Sequence, residues 1–185
     1  NLLPGHLMVW ENGTLKIEQY WDVTLQGGIT PQQERTAEHE LAHLVRDSIS
    51  LQLMADVPVG TLLSGGIDSS VVTALAAQAS SGFLSSFSIG FAEEAFNELH
   101  YARMVAKRCQ TRQHELVVSN LEFSSALPEM IYYLDEPLNH ANSVQIYYIS
   151  AFARSEVKVL LTGEGADEIF GGYPRYFVPT LLRPW

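Results

Sequence analysis

From Val57 to Leu161 the sequence alternates short apolar runs with helical stretches, and that alternation constrains the fold more than any other feature. Val59–Leu63, Phe83–Ile89, His114–Val118 and Val157–Leu161 have the length and apolar content of buried strands. The stretches at about 69–79, 97–109, 121–134 and 142–154 have helical spacing. Such alternation predicts an α/β fold, a parallel sheet with helices on both faces. In these sheets a ligand binds outside the carboxyl ends of the strands, where the strand order reverses. The loops that follow the strands are therefore where chemistry is expected.

The first thirty residues read differently. Residues 7–10 and 14–21 form two strand-like runs around Glu11-Asn12-Gly13, a hairpin turn. Gly27-Gly28 breaks the pattern, and Thr30-Pro31-Gln32-Gln33 predicts a helix start. Thr30 is the expected N-cap, Pro31 the first helical residue, and Gln33 the reciprocal capping side chain. Leu41, Leu44, Val45, Ser48, Ile49 and Leu53 follow at helical spacing, which predicts one buried face. A boundary is expected near residues 24–30, with the first domain ending at about residue 23 and the second covering 30–185.

Composition limits the partners. With 46% hydrophobic and 17% charged residues, the 185-residue chain has material for a sizeable core. A formal net charge of −10 argues against nucleic acid or an anionic membrane as partner, because phosphate contacts need Lys and Arg. Cys109 is the only cysteine, so neither an internal disulfide nor a thiolate metal cluster can form. The six histidines show no zinc-ligand spacing. No apolar run approaches the roughly 20 residues of a membrane helix. The sequence opens mid-pattern at Asn1-Leu2-Leu3-Pro4, without a signal peptide, and reads as a segment of a longer cytoplasmic protein.

Two loops carry the chemistry. The first, Ser64-Gly65-Gly66-Ile67-Asp68-Ser69-Ser70, lies between a strand and a helix. Its glycines allow close backbone approach, and the following helix aims free N–H groups and its positive dipole end into the loop. Ser64, Ser69 and Ser70 add hydroxyl donors, giving an anion nest suited to a phosphate chain. The Walker A lysine is absent. A bare Gly-Gly turn in which Asp68 and Ser69 only cap the helix is the plainer reading; the whole string in its strand–loop–helix setting favours phosphate.

The second loop is Thr162-Gly163-Glu164-Gly165-Ala166-Asp167-Glu168, followed by Ile169-Phe170-Gly171-Gly172-Tyr173. Three acids within five residues are costly to gather unless a cation or a metal-bound phosphate compensates them. Alone, they could equally complement a helix dipole. Paired with the first loop, Asp68 and Asp167 could hold Mg²⁺ on pyrophosphate from two sides.

The string SGGIDSS resembles the pyrophosphate loop of the N-type ATP pyrophosphatases. Together, LLSGGIDSS, FSIGF, DEP and LTGEGADEIFGGYPRY resemble the synthetase domain of glutamine-dependent asparagine synthetases over about residues 30–178. Residues 1–23 are similar to the last hairpin of that family's glutaminase domain. The resemblance implies an adenine nucleotide α-hydrolase-like, Rossmann-like fold. It also implies a ligase that uses ATP and Mg²⁺ to activate a carboxylate, most simply aspartate, as an acyl-adenylate. Ammonia from glutamine then displaces AMP to form the amide. Leu62, Ile89, Thr162 and Gly163 are the implied adenosine contacts, and Ser64, Gly65, Gly66, Asp68 and Ser69 the implied pyrophosphate contacts. By the same resemblance Asp68 and Asp167 bind Mg²⁺ and take part in catalysis, while Glu164 acts as a base or orienting group beside the reacting carboxylate and amine. A homodimer is compatible with the resemblance.

Two departures stand out. The family's glutaminase nucleophile is an N-terminal cysteine, whereas this sequence begins at Asn1; its adenylation lysine lies well beyond the second loop, and the sequence ends at Trp185. The expectation is a segment that binds nucleotide better than it turns it over. Enzymes with the same loop also make NAD or GMP, amidate sugars, close β-lactam or lasso-peptide rings, or modify tRNA. Net charge and the single cysteine weigh against tRNA thiolation. The acidic second loop and the hairpin weigh against NAD and GMP synthetases. A sugar-acid, β-lactam or lasso-peptide acceptor stays open.

Other residues read as structural. Cys109 falls in register with Ala102, Val105 and Ala106 and is expected in the core. His114 is expected to satisfy local hydrogen bonds, and Arg103, Lys107 and Arg108 to form a solvated helix face. Asp135-Glu136-Pro137 fits a helix–helix turn and a substrate loop equally well, and His140 reads as a surface histidine.

Overall fold

The computed structural model describes residues 2–24, 30–93, 97–135 and 142–176. It has two compact units, Asn1–Ala42 and His43–Trp185, with the division falling inside a helix.

In the first unit β1 (His6–Glu11) pairs antiparallel with β2 (Thr14–Gln19), Glu11 opposite Thr14. Asn12 and Gly13 both have positive φ, 49° and 77°, the backbone of a two-residue hairpin turn whose twist matches the strands. The helix α1 (Pro31–Gln52) begins as its capping residues dictate. The Gln33 N–H donates to Thr30 Oγ1 at 3.3 Å, and the Thr30 N–H donates to Gln33 Oε1 at 2.8 Å.

In the second unit β3 (Val59–Leu62), β4 (Ser85–Phe91), β5 (Arg112–Val118) and β6 (Val159–Leu161) form one sheet in the order β5-β4-β3-β6. Every pairing is parallel. The helices α2 (Ile67–Ala79), α3 (Leu99–Cys109), α4 (Asn120–Leu134) and α5 (Asn142–Ala153) connect the strands, and α6 (Ala166–Phe170) follows β6. The predicted parallel sheet with helices on both faces is therefore observed.

The two-residue period of β3 sorts the layers. Val59 joins Val45, Ile49, Val72 and Ala76 under α1 and α2, while Leu63 meets Ala102 and Ala106 of α3. Leu62 points to the other face, where Phe87, Ile149, Ala153 and Val157 form the core beneath α5. Each fully buried Phe, Leu or Ile here contributes roughly 1.5–3 kcal/mol of burial. α4 covers α5 through Ala126, Met130 and Val144.

Several expectations are corrected. Leu41, Leu44 and Ser48 are exposed, because α1 seats only Val45 and Ile49, with Leu53 just beyond it, on the sheet. β4 begins at Ser85 rather than Phe83: α2 is closed by its C-cap Ser80, whose N–H donates to the Ala76 carbonyl, and Phe83 lies in the exposed connection. Cys109 is only half-buried, being the last residue of α3 before Gln110 turns left-handed. His114 stacks on Phe87, ring centroids 4.8 Å apart, and its buried Nε2 has no partner among the described residues. Arg103 is not simply solvated: it donates to both carboxylate oxygens of Glu115, at 2.8 and 2.6 Å. The readings of Glu136, Pro137 and His140 lie outside the described residues, while Asp135 is the left-handed C-cap of α4.

Candidate active site

The chain steps from β3 to β4 to β5 in one direction, and β6 then adds on the opposite side of β3. The strand order reverses between β3 and β6, so the loops at their carboxyl ends border the crevice where α/β sheets bind ligands. Those are the two loops singled out from the sequence.

The first loop is built around Ser69. Its hydroxyl donates to the Gly66 carbonyl at 3.2 Å, accepts the Ser64 N–H at 3.3 Å, and lies 2.9 Å from Ser64 Oγ. The Ser70 hydroxyl donates to the same carbonyl at 2.6 Å. Gly65 makes the turn with φ of +93°, pressed against α3: a Cβ there would meet Tyr101 Cβ and the Ala102 nitrogen at 2.6 Å. The N-cap of α2 is Gly66, with no side-chain capping bond. Asp68, in the first helical turn and exposed, is therefore not used as a cap.

The second loop lies directly on the first. A Cβ on Gly163 would stand 2.8 Å from the Ser69 nitrogen and 2.9 Å from Asp68 Cβ. Only a residue without a side chain lets β6 deliver its loop this close. The Glu164 N–H donates to Thr162 Oγ1 at 3.2 Å, and Gly165, the N-cap of α6, is joined by no side-chain capping bond, which leaves the Asp167 carboxylate uncommitted to capping.

One cleft collects these groups. Leu62, Ser64, Gly66, Asp68, Ser69, Ile89, Thr162, Gly163, Glu164 and Asp167 all line it; of the sequence-predicted residues only Gly65 does not. The cleft also takes in Leu63, Phe87, Gln145, Ile146, Ile149, Gly165 and Tyr173. Phe87 was accessible to inference, since it is two residues from Ile89 on one strand and shares its face. Gln145, Ile146 and Ile149 carried no local signal, because only packing brings the first turns of α5 to this edge. The lining thus combines apolar side chains (leucine, isoleucine, phenylalanine) with serine hydroxyls and carboxylates.

Among the described residues no Lys or Arg lines the cleft, while Asp68, Glu164 and Asp167 do. Beside it, the Tyr173 hydroxyl donates to Glu168 Oε1 at 2.8 Å. That bond holds the Glu168 carboxyl below the ordinary carboxylate range and raises the Tyr173 phenol above its own. The Arg175 guanidinium lies 4.3 Å from the Tyr173 ring centroid, a cation–π contact. Among the described residues no three His, Cys, Asp or Glu side chains gather into a metal site of their own. An oxygen-ligated divalent ion at Asp68 and Asp167 would need phosphate and water to complete its shell, which is the usual habit of Mg²⁺.

Sheet order and the switch-point cleft are those of an adenine nucleotide α-hydrolase-like fold. Two solved structures share the fold: the NH3-dependent NAD synthetase of Campylobacter jejuni (TM-score 0.50, 17% identity, 73% of this chain and 60% of that one) and NMN synthetase from Francisella tularensis (TM-score 0.51, 15% identity, 75% and 59%). The family profile described as asparagine synthase matches residues 40–185, and the chain belongs to that family. It is 41% identical over 157 residues to a putative glutamine-hydrolyzing asparagine synthetase of Mycobacterium tuberculosis, covering 85% of this chain and 24% of that protein. It is 37% identical to asparagine synthetase 1 of Bacillus subtilis (82% and 24%) and 32% identical to asparagine synthetase B of Escherichia coli (75% and 27%). The chain thus spans about a quarter of the length of these relatives. No helix among the described residues is long and apolar enough to cross a membrane.

Proposed function

We propose that this chain is the ATP-binding part of a cytoplasmic ligase that forms an amide through an acyl-adenylate, with aspartate as the acceptor and ammonia drawn from glutamine by a separate glutaminase domain. The observation that carries this reading is the contact of Gly163 with Asp68 and Ser69, which puts a phosphate-type loop and an acidic loop in one switch-point cleft.

ATP lies with its adenosine against Leu62, Ile89, Thr162 and Gly163 and its pyrophosphate toward Ser64, Gly66 and Ser69. The substrate carboxylate oxygen attacks the α-phosphorus as the bond to the pyrophosphate oxygen breaks. Ammonia then attacks the acyl carbon, AMP leaves with the former C–O bonding pair, and one proton is lost. Glu164, exposed at the cleft, is the group available to orient the amine or take that proton. Asp68 and Asp167 are the residues that would hold Mg²⁺, which would supply neutralising charge to pyrophosphate. The loop N–H groups and hydroxyls do the remainder without reorganising.

Exchange of [³²P]pyrophosphate into ATP by the full-length protein, run with a panel of carboxylates, tests the reading. Exchange with aspartate supports it. Exchange with a sugar acid or a β-lactam precursor alone keeps the adenylation and replaces the acceptor. No exchange with any carboxylate would refute adenylation itself.

A further inference from the structure

Two glycines follow α6, and they are glycine for different reasons. Gly171 has φ of +68°, a left-handed C-cap that any side chain would strain. Gly172 does not have a left-handed φ, so its backbone would accept alanine. What it lacks room for is a side chain: a Cβ there would collide with Asp167 Oδ1 and lie 3.0 Å from Asp167 Cγ. The Gly172 N–H also donates to the Asp167 carbonyl at 3.0 Å, so the chain folds back over Asp167 and presents its bare α-carbon to the carboxylate. Asp167 meanwhile lines the cleft.

We infer that Gly172 is a positioning residue for the Asp167 carboxylate: the missing side chain is the seat that holds that carboxylate at the cleft. The inference rests on the reading of Asp167 as a ligand of the metal on pyrophosphate. Filling the seat turns the carboxylate about its own flexible torsions, while the Asp167 Cα, 3.3 Å from the new methyl, gives only slightly. The effect falls on metal-assisted nucleotide binding and not on folding.

The test is calorimetric titration of this chain with ATP, in Mg²⁺ and in EDTA, with thermal melts run alongside. Gly172→Ala is expected to weaken Mg²⁺–ATP binding by about tenfold, the lower end of what losing an outer-shell partner of a metal ligand costs. It should leave EDTA–ATP binding and the melting temperature near wild type. In the Asp167→Asn background it should add no further loss, since the two changes act on one group. Gly171→Ala is the contrast: it should lower the melting temperature and leave the ratio of Mg²⁺ to EDTA affinity as it was.

Wild-type Mg²⁺ affinity in Gly172→Ala, with Asp167→Asn impaired, would overturn the role of Gly172 alone. Unchanged affinity in Asp167→Asn would overturn the metal reading and the inference with it. Additive losses in the double variant, or an unfolded Gly172→Ala chain, would show that Gly172 acts through something other than the carboxylate.

Discussion

Gly163 and Asp68, ninety-five residues apart in the sequence, are in direct contact: a Cβ on the glycine would stand 2.9 Å from Cβ of the aspartate. The contact locks the acidic loop to the phosphate-type loop. Gly163→Ala must push the two apart, because backbone atoms of Asp68 and Ser69 also lie within 3.0 Å of the new methyl. Overpacking of this kind costs typically 1–3 kcal/mol. We expect a stability loss of about that size in urea melts, with ATP affinity in Mg²⁺ falling by about tenfold or more, since displacements near 1 Å at a site are that costly. Unchanged melts and affinity would show that the loops separate freely.

Asp68 and Asp167 sit at the same cleft, and neither is used as a helix cap. Without a cation their charges oppose a polyanionic ligand, and a helix end offsets only about half a charge. Asp68→Asn and Asp167→Asn should each weaken ATP binding in Mg²⁺ and shrink the difference between Mg²⁺ and EDTA. Asp68 is exposed and Asp68→Asn should change stability by no more than about 0.5 kcal/mol, while Asp167 is half-buried and Asp167→Asn should cost no more than about 1 kcal/mol. Equal affinity in wild type and both variants, with metal and without, would assign the two aspartates no ligand role.

Thr61 and Thr73 are both fully buried, and the Thr73 hydroxyl donates to Thr61 Oγ1 at 3.1 Å between β3 and α2. Removing one partner strands the other in an apolar layer. Thr73→Val should cost about 1–3 kcal/mol, while Thr61→Val with Thr73→Val should come close to wild type. Denaturant melts of both single variants and the double decide it. A double variant as unstable as the sum of the singles would mean that each hydroxyl has another partner.

At the start of α4, Ser119 and Glu122 form a reciprocal capping box, the Ser119 N–H donating to Glu122 Oε2 at 2.8 Å and the Glu122 N–H to Ser119 Oγ at 3.3 Å. The Ser119 hydroxyl and N–H hold the Glu122 carboxyl below its ordinary range. A lowered folded-state value stabilises the fold wherever glutamate is ionised in the unfolded chain. That contribution is present above the ordinary glutamate value and disappears as pH falls through the lower, folded one. Urea midpoints should therefore decline with acid more steeply in wild type than in Glu122→Gln. At neutral pH, Ser119→Ala should cost about 1 kcal/mol. Parallel pH profiles would remove the glutamate from the cap.

Much of this protein was legible in one dimension. Among the described residues, the 2-residue and 3.6-residue periods predicted each strand and long helix to within a few residues, because the layers of an α/β core must each present an apolar face. The two loops stood out because glycine, serine and clustered acids are poor core material and have a known use beside phosphate. Ile89 marked its strand face, and Phe87 could have followed from it. Leu41 and Leu44 misled, because helical periodicity marks an apolar stripe without saying where its cover ends.

The sequence by itself determined the parallel α/β class, the hairpin, the two loops and the residue types available at the site, since all of these follow from local periodicity and backbone chemistry. Only the tertiary structure decided that β6 joins the sheet beside β3, and this brings Gly163 onto Asp68. It also decided that the start of α5 contributes Gln145 and Ile146 to the cleft, and that Gly172 leaves its space to the Asp167 carboxylate. Strand order and close approach are settled by packing between segments far apart in the chain, and no local pattern encodes which distant surface a residue will meet.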